Sequence, residues 1–125
     1  MILRSDALEI HYDVIVDMGG SHGIRDEGAL DSALARPFSG WGEMEFYPTA
    51  EEKASALVES IVCNHPFIDG NKRTGYVLMR MLLNEYGKDI KENEDSKYDF
   101  VVLIADGKMK YDAILQWIRN RIVLL

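Results

Sequence analysis

The chain has 125 residues, 47 % of them hydrophobic, and carries 14 Lys and Arg against 21 Asp and Glu for a formal net charge of -7. That length suits a single domain over 1–125 with a real core, and the hydrophobic share excludes disorder by composition. The acidity argues against a non-specific nucleic-acid binder, a ribonuclease included, because a phosphate backbone rewards excess Lys and Arg.

The single cysteine, Cys63, excludes an internal disulfide and suits a reducing compartment. No apolar run reaches the ~20 residues of a membrane span. Asp6, Glu9, Asp13 and Asp17 interrupt the N-terminal segment, so no signal region is expected there. The expectation is a soluble cytoplasmic protein.

Ala7, Leu8, Tyr12, Val14, Ile15 and Met18 give a helical stripe over about Ser5 to Met18, with Ser5 as N-cap and Gly19-Gly20 as the stop. His11 lies on its apolar side and reads as a core histidine bonded to backbone rather than a catalytic one. Gly23 to Gly28 is a turn. Asp26 caps a short helix over about Glu27 to Ala35, buried through Ala29, Leu30, Ala33 and Leu34, and Pro37 ends it. Residues 38 to 48 have little periodicity and read as a loop with room for a short strand. Its aromatic content fits packing over the core and a partner surface equally well.

Thr49-Ala50-Glu51-Glu52 matches a capping box. The helix behind it carries Ala54, Leu57, Val58, Ile61 and Val62 and cannot pass far beyond Asn64, since Pro66 disfavours the helical conformation at His65. The next helix opens near Gly70, runs to Tyr86 and stops at Gly87. It is apolar nearly all round, which predicts a central, buried position. Lys88 to Asp99 reads as a charged, solvated connection. About Tyr98 to Asp106 is read as helix in preference to strand. Tyr111, Ile114, Leu115, Ile118 and Ile122 mark a last amphipathic helix with Arg119 and Arg121 near its end. The sum is an all-α bundle of about six helices around residues 71 to 86.

The chemistry concentrates in His65-Pro66-Phe67-Ile68-Asp69-Gly70-Asn71-Lys72-Arg73-Thr74. A helix N-terminus presents unpaired N–H groups that favour anions, and Gly70 lets a phosphate approach the backbone. Lys72 and Arg73 oppose the macrodipole there by ~0.3–1 kcal/mol each, so an anionic ligand gives them a reason. Asp69 has the charge for Mg²⁺, and His65 can accept a proton near neutral pH. Base, metal carboxylate and anion cradle together point to phosphoryl or nucleotidyl transfer. Each residue also has a plain alternative: Asp69 as a helix cap, Lys72 and Arg73 as solvated charges, His65 as a structural hydrogen bonder.

His65-x-Phe67-x-Asp69-Gly70-Asn71-x-Arg73 resembles the signature of the Fic/Doc superfamily. Gly19-Gly20, Gly23-Ile24-Arg25-Asp26 and Ser32 to Pro37 resemble its death-on-curing (Doc) branch. The resemblance implies the compact helical Fic/Doc fold and a toxin of a type II toxin–antitoxin system. Such a toxin uses ATP with Mg²⁺ and passes the γ-phosphate to a hydroxyl of elongation factor Tu, arresting translation. It implies His65 as general base, Asp69 as Mg²⁺ ligand, and Gly70, Asn71, Lys72 and Arg73 around the nucleotide phosphates. Adenylylating relatives have Gly where this chain has Lys72 and a second Arg where it has Tyr76. A lysine there would crowd the anion hole for the α- and β-phosphates, and Lys72 is what Doc toxins carry. Ser5 and Glu9 have the spacing of the self-inhibitory motif of Fic proteins, but Ile10 follows and the match reads as coincidence. Inhibition is therefore expected in trans, from a small Phd-like antitoxin. An adenylyltransferase and a non-enzymatic binding module remain as alternatives.

Overall fold

The structure is a computed structural model and describes residues 1–125. Six α-helices follow in chain order: α1 (Arg4–Met18), α2 (Glu27–Ala35), α3 (Ala50–Asn64), α4 (Asn71–Glu85), α5 (Glu94–Ala105) and α6 (Tyr111–Arg119). Four short strands join them: β1 (Gly40–Trp41), β2 (Met44–Glu45), β3 (Lys88–Ile90) and β4 (Ile122–Leu124). The expected six-helix bundle stands, with two small antiparallel pairs added. No helix is long and apolar enough to cross a membrane.

The centre is a helix pair. Packing of α3 on α4 is the most extensive contact in the molecule, and α3 is buried as fully as α4. Leu57, Ile61, Leu78, Met79, Leu82 and Leu83 meet there at essentially zero exposure. Gly75 sets how closely the axes approach, since a Cβ at that position would come within 3.0 Å of Val62 Cγ2 and 3.2 Å of Ile61 Cγ2. Helix α1 crosses α4, while α2 and α6 cover α3. The face of α4 carrying Arg73, Val77 and Arg80 stays open, so that helix is not enclosed on every side.

Local signals set most helix ends. The Thr49–Glu52 capping box forms, and Asp26 accepts from the Ala29 N–H. Gly19 ends α1 at φ 82°, with its N–H on the Ile15 carbonyl. Helix α1 starts two residues earlier than its Ser5 cap predicts. The Asp6 carboxylate accepts from the Leu3 N–H at 3.0 Å and makes Leu3 the N-cap, leaving Ser5 exposed inside the helix.

Two expectations change. Residues 88–99 are not a solvated connection: Lys88–Ile90 pairs with Ile122–Leu124, and α5 begins at Glu94 behind an Asn93 cap. Ile122 correspondingly leaves the last helix for a strand. In the 38–48 segment, β1 and β2 form a hairpin tied to α3 by Lys53. That lysine is 3 % exposed, and its Nζ reaches the Tyr47 carbonyl and, at 3.1 Å, Glu45 Oε1. The aromatics divide between half-buried and exposed positions. Phe38 packs against the core and Tyr47 lies 5.5 Å from the Tyr111 ring, whereas Trp41 and Phe46 face solvent.

Candidate active site

The ten-residue turn joins the C-terminus of α3 to the N-terminus of α4. Pro66 removes the right-handed helical option at His65, and the chain leaves α3 with His65 at φ 47°, ψ 60°. His65 is the only non-glycine residue with positive φ. Such a conformation costs an ordinary residue about 1–2 kcal/mol, so its surroundings must hold it. Arg25 bonds the carbonyls around it. Its Nε donates to the His65 carbonyl at 2.6 Å and its Nη2 to the Asn64 carbonyl at 2.7 Å. The main-chain N–H groups of Arg25 and Asp26 both donate to the Pro66 carbonyl. Ile24 pairs with Phe67 as an isolated bridge, and Ile68 donates to the Gly23 carbonyl.

Phe67 anchors the turn in the core at zero exposure. Its ring stacks on His11, with centroids 3.9 Å apart and planes 6° from parallel. His11 Nε2 lies 2.8 Å from the Asp69 carbonyl oxygen, which can only accept, so the proton is on Nε2. The reading of His11 as a buried, backbone-bonded histidine holds; it buttresses the turn from beneath. Asn71 closes the turn from the other side by bonding both the N–H and the carbonyl of Phe67.

Helix α4 then opens without a side-chain cap. Gly70 is its N-cap at φ 78°, and a Cβ there would come within 3.1 Å of Ile15 Cδ1 and 3.3 Å of Val14 Cγ1. Gly70 thus permits both the left-handed turn and the seating of α1 beneath it. The first-turn N–H groups keep their attraction for an anion. Asp69 does not cap the helix: its Oδ2 accepts from the Ser21 N–H at 2.7 Å, fastening the loop after α1 to the turn. Lys72 and Arg73 are exposed and take part in none of the chain's ion pairs. No carboxylate lies within ion-pair distance of either to offset their conflict with the macrodipole.

Gly70, Asn71, Lys72 and Arg73 form one wall of a cavity of about 570 Å³ that continues along α4 to Tyr76, Val77 and Arg80 and across to Tyr98 and Val101 of α5. His65 does not line it. Burial pushes the Tyr76 hydroxyl up to about 12, so it is a neutral group, and that oxygen has no hydrogen-bond partner. Arg80 is held in place by a two-point pair with Asp89, at 2.8 Å on both arms, and the Arg80 hydrogen bond holds the Asp89 carboxyl down at about 2.

The structure thus brings His65, Asp69, Gly70, Asn71, Lys72 and Arg73 to one corner, as their contiguity requires. The Asn71 side chain is engaged with Phe67, which leaves its backbone for a ligand. Sequence reasoning missed the α5 wall of the cavity, which lies in a segment assigned in part to a solvated connection. It also missed the use of Arg25. Its only signal was membership of the Gly23-Ile24-Arg25-Asp26 motif.

No cluster of three or more His, Cys, Asp or Glu side chains is placed to hold a metal ion. Asp69 stands as a lone carboxylate beside an anion-favouring helix end. That suits Mg²⁺, which is commonly held by one or two carboxylates together with substrate phosphates.

Comparison with known proteins agrees with this corner. The chain is 36 % identical over 80 residues to the protein named Toxin Doc from Mycolicibacterium smegmatis, an alignment covering 64 % of this chain and 62 % of that relative. The chain thus spans less than two thirds of the length of the curated relative it matches. A model described as the Fic/DOC family matches residues 2–83. That span takes in α1 to α3, the whole turn and nearly all of α4, and the chain belongs to the Fic/DOC family.

Proposed function

We propose that this protein is a toxin that transfers the γ-phosphate of ATP to a hydroxyl of a translation factor resembling elongation factor Tu, and so arrests translation. The observation that carries this reading is the uncapped N-terminus of α4. It bears unpaired Lys72 and Arg73, lies one turn from His65, and opens into the cavity beside it. A volume of about 570 Å³ is within the range of small-molecule sites, roughly 300–1,000 Å³. His65 lies outside the cavity lining, so a nucleotide with its nucleoside in the cavity would direct its terminal phosphate toward the turn. Phosphoryl transfer needs that orientation, and Lys72, in place of the glycine of adenylylating relatives, favours it.

In this mechanism His65 takes the proton from the target hydroxyl, whose oxygen forms the new bond to the γ-phosphorus. The bond from that phosphorus to the bridging β–γ oxygen breaks, and ADP departs. The N–H groups of the first turn of α4, with Lys72 and Arg73, hold the phosphates and stabilise charge in the transition state. Asp69 would hold Mg²⁺, which neutralises phosphate charge when bound. A small Phd-like antitoxin is the expected partner, in keeping with the name of the relative.

The test is incubation with elongation factor Tu and ATP labelled separately at the α- and γ-phosphates. Wild type should transfer only the γ label. Lys72→Gly should weaken that transfer, because it removes a charge beside the transferring group. Transfer of the α label by wild type would establish adenylyl transfer and overturn the phosphoryl assignment.

A further inference from the structure

We propose that Arg25 is the positioning residue of this site, holding the backbone of His65 in the conformation from which the imidazole works. This rests on the reading of His65 as the base.

Three consecutive carbonyls, those of Asn64, His65 and Pro66, all accept from Arg25. The guanidinium supplies Nη2 to Asn64 and Nε to His65, and the main-chain N–H reaches Pro66 at 2.7 Å. A helix end leaves its last carbonyls without partners, and a glycine in the left-handed conformation often ends the helix there. Here the left-handed position must instead be a residue with a side chain. His65 sits at φ 47°, so this end of α3 lacks the glycine that would take the conformation without strain. A planar fork of N–H donors matches two successive carbonyls, and an ammonium does not.

Arg25 is in turn fixed by its neighbours. Asp26 caps α2 through the Ala29 N–H, and Ile24 is bridged to Phe67. Arg25 is solvent-exposed and lies outside the hydrophobic core, so packing does not explain where its guanidinium goes. The charge also completes the electrostatics of α3: none of its last-turn residues is basic, and a cation from elsewhere in the chain sits at its negative end. Arg25 does not line the cavity and none of its hydrogen bonds reaches α4, so its effect on chemistry passes through the backbone of His65 and its two neighbours.

The test compares Arg25→Ala and Arg25→Lys with wild type by two readouts. The first is steady-state transfer with ATP. Arg25→Ala should lower kcat by about 10²-fold, the scale of a misplaced reacting group, with KM for ATP unchanged. Arg25→Lys should fall between. Combined with His65→Ala, the Arg25→Ala change should add no further loss, because residues acting through one group are not additive. The second readout needs no activity: the His65 backbone chemical shifts and its HN–Hα coupling report φ directly. Arg25→Ala should move His65 out of the left-handed region while the melting temperature stays close to wild type. A variant that keeps both φ and kcat overturns the proposal. So does one that loses kcat with φ unchanged, or one whose KM for ATP rises with kcat preserved. If wild type transfers no label at all, the assignment of His65 as base falls, and the φ measurement still decides whether Arg25 holds that residue.

Discussion

Asn71 and Phe67 exchange two hydrogen bonds across the turn: the Phe67 N–H donates to Asn71 Oδ1 at 3.0 Å, and Asn71 Nδ2 donates to the Phe67 carbonyl at 2.9 Å. One side chain thus closes the five-residue span Phe67–Asn71, within which Ile68 and Asp69 face solvent. Phe67 is wholly buried, so both of its main-chain groups depend on this partner. The clasp ties the segment between His65 and α4 to the start of the helix.

Asn71→Ala should therefore destabilise the fold. It leaves two buried main-chain groups unpaired, at about 1–3 kcal/mol each. Asn71→Asp retains the acceptor but loses the donor, and should still cost stability. Chemical denaturation reads this directly. A midpoint unchanged in Asn71→Ala would mean that water replaces the clasp.

His65 couples strain to chemistry. On the proposed mechanism His65→Ala removes the base and should lower transfer by about 10²–10⁴-fold while leaving the fold intact. It keeps a Cβ, and so keeps the left-handed strain. His65→Gly should be as inactive but more stable than His65→Ala by about 0.5–1 kcal/mol. Relief of strain, about 1–2 kcal/mol, outweighs the added flexibility of the unfolded glycine, about 0.5–1 kcal/mol. A glycine variant less stable than the alanine variant would show that the turn imposes no strain at His65.

Asp69→Asn separates the proposed metal binding from architecture. The Asn oxygen can still accept from the Ser21 N–H, so stability should fall by about 1 kcal/mol at most. The charge needed for Mg²⁺ is gone, and transfer should be lost. Transfer that persists with an unchanged dependence on Mg²⁺ concentration would remove Asp69 from the metal site.

The Arg80–Asp89 pair gives an acid-stability signature. The Arg80 hydrogen bond lowers the Asp89 carboxyl from its ordinary value of 3.8 to about 2. A folded-state value below the unfolded one means stability that is fully present above about pH 4 and lost as pH falls through 2. Asp89→Asn should flatten that part of the acid unfolding curve and leave the neutral-pH profile shape unchanged. It should also free Arg80 at the cavity wall. An acid limb identical to wild type would show that the pair does not contribute.

Local chemistry made most of the fold legible in the sequence. The Thr49–Glu52 box, the Asp26 cap and the glycine after α1 act within four residues of the ends they set, so the helices can be located from a single chain. The candidate site was legible for the same reason: His65 to Arg73 are contiguous, and one turn between two helices brings them together whatever the rest of the molecule does. What the tertiary structure alone decided involves partners far apart in the chain. Lys88–Ile90 carries no strand pattern of its own and becomes a strand only because Ile122–Leu124 lies beside it. Lys53 looks like a solvated helix position until the hairpin supplies the Tyr47 carbonyl and Glu45. Arg25 reads as one turn residue among several until α3 places three carbonyls against it. Periodicity and capping are short-range effects written into neighbouring residues. A hydrogen bond between residues 25 and 65 forms only once the intervening helices have packed, and no local pattern records it.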